Sequence, residues 1–262
     1  MSMRIQKGGF MISALKSRWL VKLLVSSLMT GLCSGVAQAA SPRGGGGMSS
    51  GGNDLGINLA LVNTSQANMN TLISRANTRV GGISTPQMNN AYEASLQYGY
   101  RFSGTIYEIL FRPSYFYQKV NGSGTGGDFN YGLTGYTLFP ILRLYPLEND
   151  FMHFFVQVGL GYGVLNGSIQ EGAASVTFSG QSFGSLVGLG SEFCFTSAHC
   201  MVIETNFRYL LMARNLADGA SGSFQGNSLS QATVDHEVEL DGIDFQTTMS
   251  GLIVSLGYAF HF

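Results

Sequence analysis

The chain has 262 residues, a formal net charge of −1, 11% charged residues, 12% aromatics and 36 glycines. Soluble domains carry about a quarter charged residues, so this composition argues against an ordinary soluble globule, and the near-neutral balance argues against a general nucleic-acid-binding surface. Beyond the N-terminal region no stretch approaches the roughly twenty consecutive apolar residues of a transmembrane helix.

The first 39 residues read as a secretory signal peptide: a basic start (Arg4, Lys7, Lys16, Arg18, Lys22), a short apolar run from Leu23 to Cys33, and the small-residue cleavage site Ala37-Gln38-Ala39. Met3 or Met11 is an alternative initiator. Leu32, where lipid attachment needs a small side chain, argues against a lipoprotein, so Cys33 is expected to leave with the signal. Residues 40–53, with Gly44 to Gly47 and Gly51-Gly52, read as a flexible lead that cannot bury a core.

From Asp54 onward, segments of period two alternate with turn-rich segments, and about eight strands are expected. The first, Asp54 to Val62, sets Ile57, Leu59 and Leu61 against Asn58 and Ala60. The second, Ala91 to Phe102, sets Tyr92, Leu96, Tyr98, Tyr100 and Phe102 against Glu93, Ser95, Gln97, Gly99 and Arg101. In the third, Tyr107, Ile109, Phe111, Tyr115 and Tyr117 oppose Glu108, Arg112 and Ser114, and Pro113 predicts a bulge or local break. The fourth, Tyr131 to Tyr145, contains Pro140 and leaves its faces undecided. The fifth sets Phe154, Val156, Val158, Leu160, Tyr162 and Val164 against His153, Gln157, Gly159, Gly161 and Gly163. The sixth, Ser182 to Phe195, directs Phe183, Val187, Leu189, Phe193 and Phe195 outward and Glu192 inward. The seventh, Met201 to Ala213, directs Ile203, Phe207, Tyr209 and Leu211 outward and Glu204, Asn206 and Arg208 inward. The last eight residues, Ser255 to Phe262, close the series with apolar even positions and small or polar odd ones.

Faces so unlike suit lipid on one side and a polar lumen on the other. Connection lengths agree: short turns (Ser103-Gly104, Glu148 to Asp150, Thr196 to His199) alternate with longer polar segments (Asn63 to Asn90, Asn121 to Asn130, Asn166 to Gly180, Asn215 to Asp244). The ending is similar to the C-terminal signal by which bacterial outer-membrane barrels are recognised by their assembly machinery, with Ser255, Gly257, Phe260 and Phe262 at its places. Over nearly its whole length the region after the signal resembles the small OmpA/OmpX/OmpW-like barrels, in pattern rather than in a diagnostic motif. The expected fold is all-β: a transmembrane antiparallel up-and-down barrel of about eight strands over residues 54–262, both ends periplasmic, integral to the bacterial outer membrane. Ten strands would result if part of the first or last long loop paired as an extra hairpin.

Inward charges recur on several strands: Glu93, Arg101, Glu108, Arg112, Glu192, Glu204 and Arg208. A network plugging a narrow lumen is favoured over a polar file along a pore, because both signs occur at similar depth. The inward glycines Gly159, Gly161, Gly163, Gly188 and Gly190 pull the other way, since they leave space. Cys194 and Cys200 flank a short periplasmic turn and are expected to form a disulfide in an oxidising compartment. His153, His199 and His261 map near the periplasmic rim, where their spacing fits no local metal motif and an interfacial polar role is favoured. The last loop is acidic (Asp218, Asp235, Glu237, Glu239, Asp241, Asp244) and the first carries Arg75 and Arg79, so the two can attract each other across the barrel mouth; alternatively, the acidic loop holds divalent cations with lipopolysaccharide phosphates.

No catalytic residue, cofactor or metal ligand is assigned. His236 has acidic neighbours in Asp235-His236-Glu237, but no serine beside it lies in a nucleophile motif. The expected function is a non-enzymatic integral outer-membrane protein with an envelope-structural or surface-interaction role; a narrow passive channel for small solutes is the alternative, and a lipid-modifying enzyme the third. The expected partners are outer-membrane lipid and lipopolysaccharide, the barrel-assembly machinery, and a surface ligand at the long outer loops.

Overall fold

In the computed structural model, residues 52–79, 83–124, 127–224, 229 and 234–262 are described; the residues read as a signal peptide and all but the last two residues of the segment read as a Gly-rich lead lie outside them. Long antiparallel strands dominate: β1 (Gly52–Asn63), β2 (Asn90–Arg101), β3 (Tyr107–Gly124), β4 (Gly127–Glu148), β5 (Met152–Glu171), β6 (Ala174–Cys194) and β7 (His199–Tyr209). A helix, α1 (Ala67–Arg79), stands between β1 and β2. Short strands β8 (Leu211–Met212), β9 (Leu216–Ser221), β10 (Glu239–Leu240), β11 (Ile243–Asp244) and β12 (Thr247–Thr248) precede the closing strand β13 (Gly251–His261).

Each long strand pairs with the next, and β13 pairs with both β7 and β1, so eight strands form a closed ring. The closure runs from Asp54↔His261 to Asn63↔Leu252, with reciprocal backbone hydrogen bonds between Asn53 and Phe262 beyond it. Closure leaves no sheet edge inside the bilayer, as a spanning sheet requires.

The alternation sorts side chains as expected. Ile57, Leu59, Leu61, Leu96, Leu138, Val158, Leu160, Val187, Leu189, Leu252, Val254 and Leu256 are exposed on the outside, while Asn58, Gln97, Gln157 and Ser255 are buried. Most exposed aromatics gather in two girdles, with Phe111 and Phe207 between them. Tyr92, Tyr115, Tyr117, Tyr136, Phe183 and Tyr209 form the upper one, and Tyr100, Phe102, Tyr107, Phe151, Phe195, Tyr258 and Phe262 the lower. Tyr92 and Tyr100 are eight residues apart on β2, which is about 21 Å of height at a tilt of about 40°, close to the apolar band of outer-membrane barrels.

Several expectations change. β1 begins at Gly52, inside the segment read as a lead, because Gly52 and Asn53 pair with Arg101 and Tyr100. Two of the four long loops are not loops: β3–β4 and β5–β6 continue as tall hairpins to Gly124↔Gly127 and Glu171↔Ala174. β7 stops at Tyr209, and Leu211 belongs to β8. Above that point the freed edge of β6 is covered by β9, from Ser175↔Ser221 to Ser179↔Leu216. The last loop thus pairs with the wall without adding strands to the ring. Pro113 interrupts the β2–β3 ladder between Ser95↔Ser114 and Tyr98↔Phe111 without a register shift. This is a break rather than a bulge, as the missing N–H dictates. Pro140 does the same between Leu138↔Tyr162 and Ile141↔Gly159.

Candidate functional site: the lumen and its two ends

On β4 the odd positions face inward, so Arg143 and Tyr145 enter the lumen. Arg143 is fully buried and forms the hub of a charge network. Its Nη1 lies 2.9 Å from Glu192 Oε1 and 3.6 Å from Glu108 Oε2, and its Nη2 lies 3.6 Å from Glu204 Oε2. Its Nε donates to Gln157 Oε1 at 3.1 Å, and the guanidinium stacks 3.9 Å from the Phe155 ring centroid. The Tyr145 hydroxyl stands 2.7 Å from Glu108 Oε2 and 2.9 Å from Glu192 Oε1. Four strands therefore converge on one guanidinium and one phenol.

Toward the outer side, Arg112 donates to both oxygens of Glu204 at 2.5 and 2.9 Å and to Gln97 Oε1 at 3.1 Å. This is the forked geometry that makes arginine–carboxylate pairs strong. Gln157 and Asn206 donate to the same carboxylate at 3.2 and 3.1 Å. Arg208 pairs with Glu93 at 2.8 Å and donates through Nε to the Met249 carbonyl at 2.8 Å. Arg101 stands apart: near the end of β2, it pairs with Glu148 at the rim that carries the short turns and covers the Tyr145 ring, 4.3 Å from its centroid.

The space that the inward glycines leave is occupied. A Cβ on Gly159 would strike Ile141, on Gly161 the Phe139 ring, on Gly163 Leu210, on Gly188 Asn206 and on Gly190 the Phe155 ring. The glycines of β5 and β6 thus seat large side chains of β4, β5 and β7 and of the segment after it. Between Glu93, Arg112, Phe139, Glu204 and Arg208 the remaining void is about 10 Å³, at the lower limit for a single water.

The outer half of the interior is apolar. Phe116, Phe129, Tyr131, Leu133, Leu165, Ile169, Phe178, Phe245 and Met249 form one buried cluster with Met69, Leu72, Ile73 and Ala76 of α1. The helix therefore packs its apolar face onto the barrel's outer end. Gln66, just before it, donates to Gln118 Oε1 at 3.0 Å and to the Thr248 carbonyl at 2.6 Å. Arg75 pairs with Asp241 at 2.5 Å and Arg79 with Glu171 at 2.6 Å, tying the first loop to the last and to the wall. The Asp241 carboxylate raises the Arg75 guanidinium above its ordinary range by hydrogen bonding. A shallow groove of about 420 Å³ runs along the exposed face of α1, lined by Thr71, Ser74, Arg75, Thr78 and Gln87 among others.

At the end of the barrel that carries the short turns, the start of β1 and the end of β13, Cys194 and Cys200 are joined by a disulfide across the last pair of the β6–β7 hairpin. His153 and His261 turn toward Glu192, whereas His199 lies against Tyr258 and Phe260. On β13, Ser255 is buried in the lumen, Gly257 admits the Asn58 side chain, and Phe260 and Phe262 stack with centroids 5.8 Å apart. His236 lies in the last loop, its carbonyl accepting from the Ala217 N–H at 2.9 Å.

Two features escape the reading of the sequence. Arg143 and Tyr145 are missed because both faces of β4 are apolar, but an arginine inside a spanning strand has only the lumen to enter. α1 falls in a segment expected to be loop, although Met69, Leu72, Ile73 and Ala76 hold helical spacing.

Solved structures share this architecture at low identity. The outer membrane protein OprG from Pseudomonas aeruginosa matches with a TM-score of 0.53 and 13% identity, covering 82% of this chain and 98% of that one. A major outer membrane protein from Thermus thermophilus matches with a TM-score of 0.51 and 12% identity, over 82% of this chain and 100% of that one. No protein-family model and no curated protein matches the chain.

Proposed function

We propose that this outer-membrane β-barrel is a closed, non-enzymatic envelope protein whose lumen is structural and whose capped outer end is the surface that meets other molecules. The observation carrying this reading is the Arg112–Glu204 fork across the lumen. Together with the Arg143 hub and the glycine-seated aromatics it leaves a void of only about 10 Å³ beside it. Buried ion pairs add little net stability over apolar residues of the same volume, so the network serves to fill the bore and fix register. The cap of α1 above it places a second, dry barrier in series. Lipid covers the outer belt, lipopolysaccharide surrounds the projecting hairpins, and the assembly machinery reads Ser255, Gly257, Phe260 and Phe262. A surface ligand would meet the groove along α1.

Single-channel recording in a planar bilayer tests this reading. Folded wild-type protein is expected to show no discrete conductance. Steps from the wild type that change in size with Arg112→Ala would make it a narrow channel instead.

A further inference from the structure

We infer that the periplasmic mouth of the barrel holds a divalent zinc-class ion, bound by His153 Nδ1, His261 Nε2 and Glu192 Oε2. Glu192 is 1% exposed, and its two oxygens have different surroundings. Oε1 is held by Arg143 at 2.9 Å and the Tyr145 hydroxyl at 2.9 Å. Oε2 has no hydrogen-bond partner among the described residues, and neither does the buried His261 Nε2. Around Oε2 stand His261 Nε2 at 3.5 Å and His153 Nδ1 at 3.6 Å. These separations are too long for hydrogen bonds. Both separations from Oε2 lie near the about 3.3 Å expected between ligand atoms placed tetrahedrally at ~2.0–2.1 Å from zinc.

The surroundings suit a metal in other respects. Arg143 and Tyr145 orient the carboxylate as outer partners orient metal ligands, leaving one oxygen for monodentate coordination. The imidazoles are partly exposed, 24% for His153 and 20% for His261, which gives a path from the periplasm. The disulfide lies alongside, with Cys194 Sγ 3.8 Å from His153 Nδ1. Its sulfurs, bonded to each other, supply no thiolate, so the donor set is two nitrogens and one oxygen, a set zinc accepts.

The ion would link distant parts of the ring. His153 and Glu192 are cross-strand partners on β5 and β6, while His261 sits on β13 opposite Asp54 of β1. Coordination therefore spans the lumen floor and ties the closing strand to the β5–β6 hairpin.

The test is equilibrium dialysis of the refolded full chain against Zn²⁺, with metal counted by mass spectrometry and thermal unfolding followed in parallel. The expected result is one zinc per chain and a higher unfolding temperature with zinc than without. His153→Ala and His261→Ala should each weaken binding at least about tenfold and abolish the thermal shift, while His199→Ala leaves both unchanged. Because these histidines lie at the rim, both variants should fold, which circular dichroism checks. Absence of saturable zinc, or zinc retained undiminished in the His153→Ala/His261→Ala double variant, would overturn the assignment and leave an imidazole–carboxylate ion cluster.

Discussion

Arg143 shows how one side chain organises the interior. It faces Glu108, Glu192 and Glu204 from three other strands and stacks on Phe155, so removing it takes the guanidinium from buried Glu108 and Glu192, while Glu204 keeps Arg112. Breaking a buried pair from one side costs about 3–5 kcal/mol, and Arg143→Ala is expected to lose at least that in urea unfolding from lipid vesicles. Gln157→Ala, which removes a neutral amide that accepts from Arg143 and donates to Glu204 and Asn206, should cost about 1–2 kcal/mol. Equal losses would mean that charge is not what the hub supplies. Arg143 is legible as a lumen residue from a single argument, the impossibility of placing a guanidinium against lipid. Its partners are not, because which strands face one another across a bore is not written in any one strand.

At the level of elements, α1 and the tall hairpins make the outer end a packed body. Leu72 lies fully buried on the face of α1 that meets the barrel. Leu72→Asp should release the helix, since an unpaired carboxylate there costs several kcal/mol. Hydrogen exchange is then expected to lose protection over Ala67–Arg79 while β1, β2 and β13 keep theirs. Loss of protection throughout would show that the cap and the ring fold as one unit. Alternation identifies the wall strands well within the bilayer, where one face meets lipid. It fails above the membrane, in the upper parts of β3 to β6, where small and polar residues such as Gly122, Ser123, Ser168 and Ser175 read as turn. Those segments are strands because each neighbour extends equally far, which is a property of pairing and not of propensity.

For the whole molecule, the decisive feature is a ring whose outside is apolar between two aromatic girdles. Val158 lies midway between Phe154 and Tyr162 on β5 and is 48% exposed. Val158→Arg is expected to destabilise the barrel by about 2–4 kcal/mol in vesicles, the cost of an arginine at the bilayer midplane. Gln170→Arg, exposed on the hairpin above the belt, should be neutral. If both substitutions were neutral in vesicles, Val158 would not face hydrocarbon.

Sequence alone determined the architecture: low charge, the lack of a spanning helix, period-two alternation and the spacing of turns leave a membrane barrel of about eight strands as the consistent solution. These are local properties, and the bilayer amplifies them by penalising any lipid-facing polar group. Only the tertiary structure decided what fills the barrel. The seating of aromatics over glycines, the meeting of Arg112 with Glu204, the apolar cap beneath α1 and the convergence of His153, Glu192 and His261 all depend on contacts across the bore. Ring closure sets those contacts, because only when β13 meets β1 do residues remote in sequence acquire fixed distances.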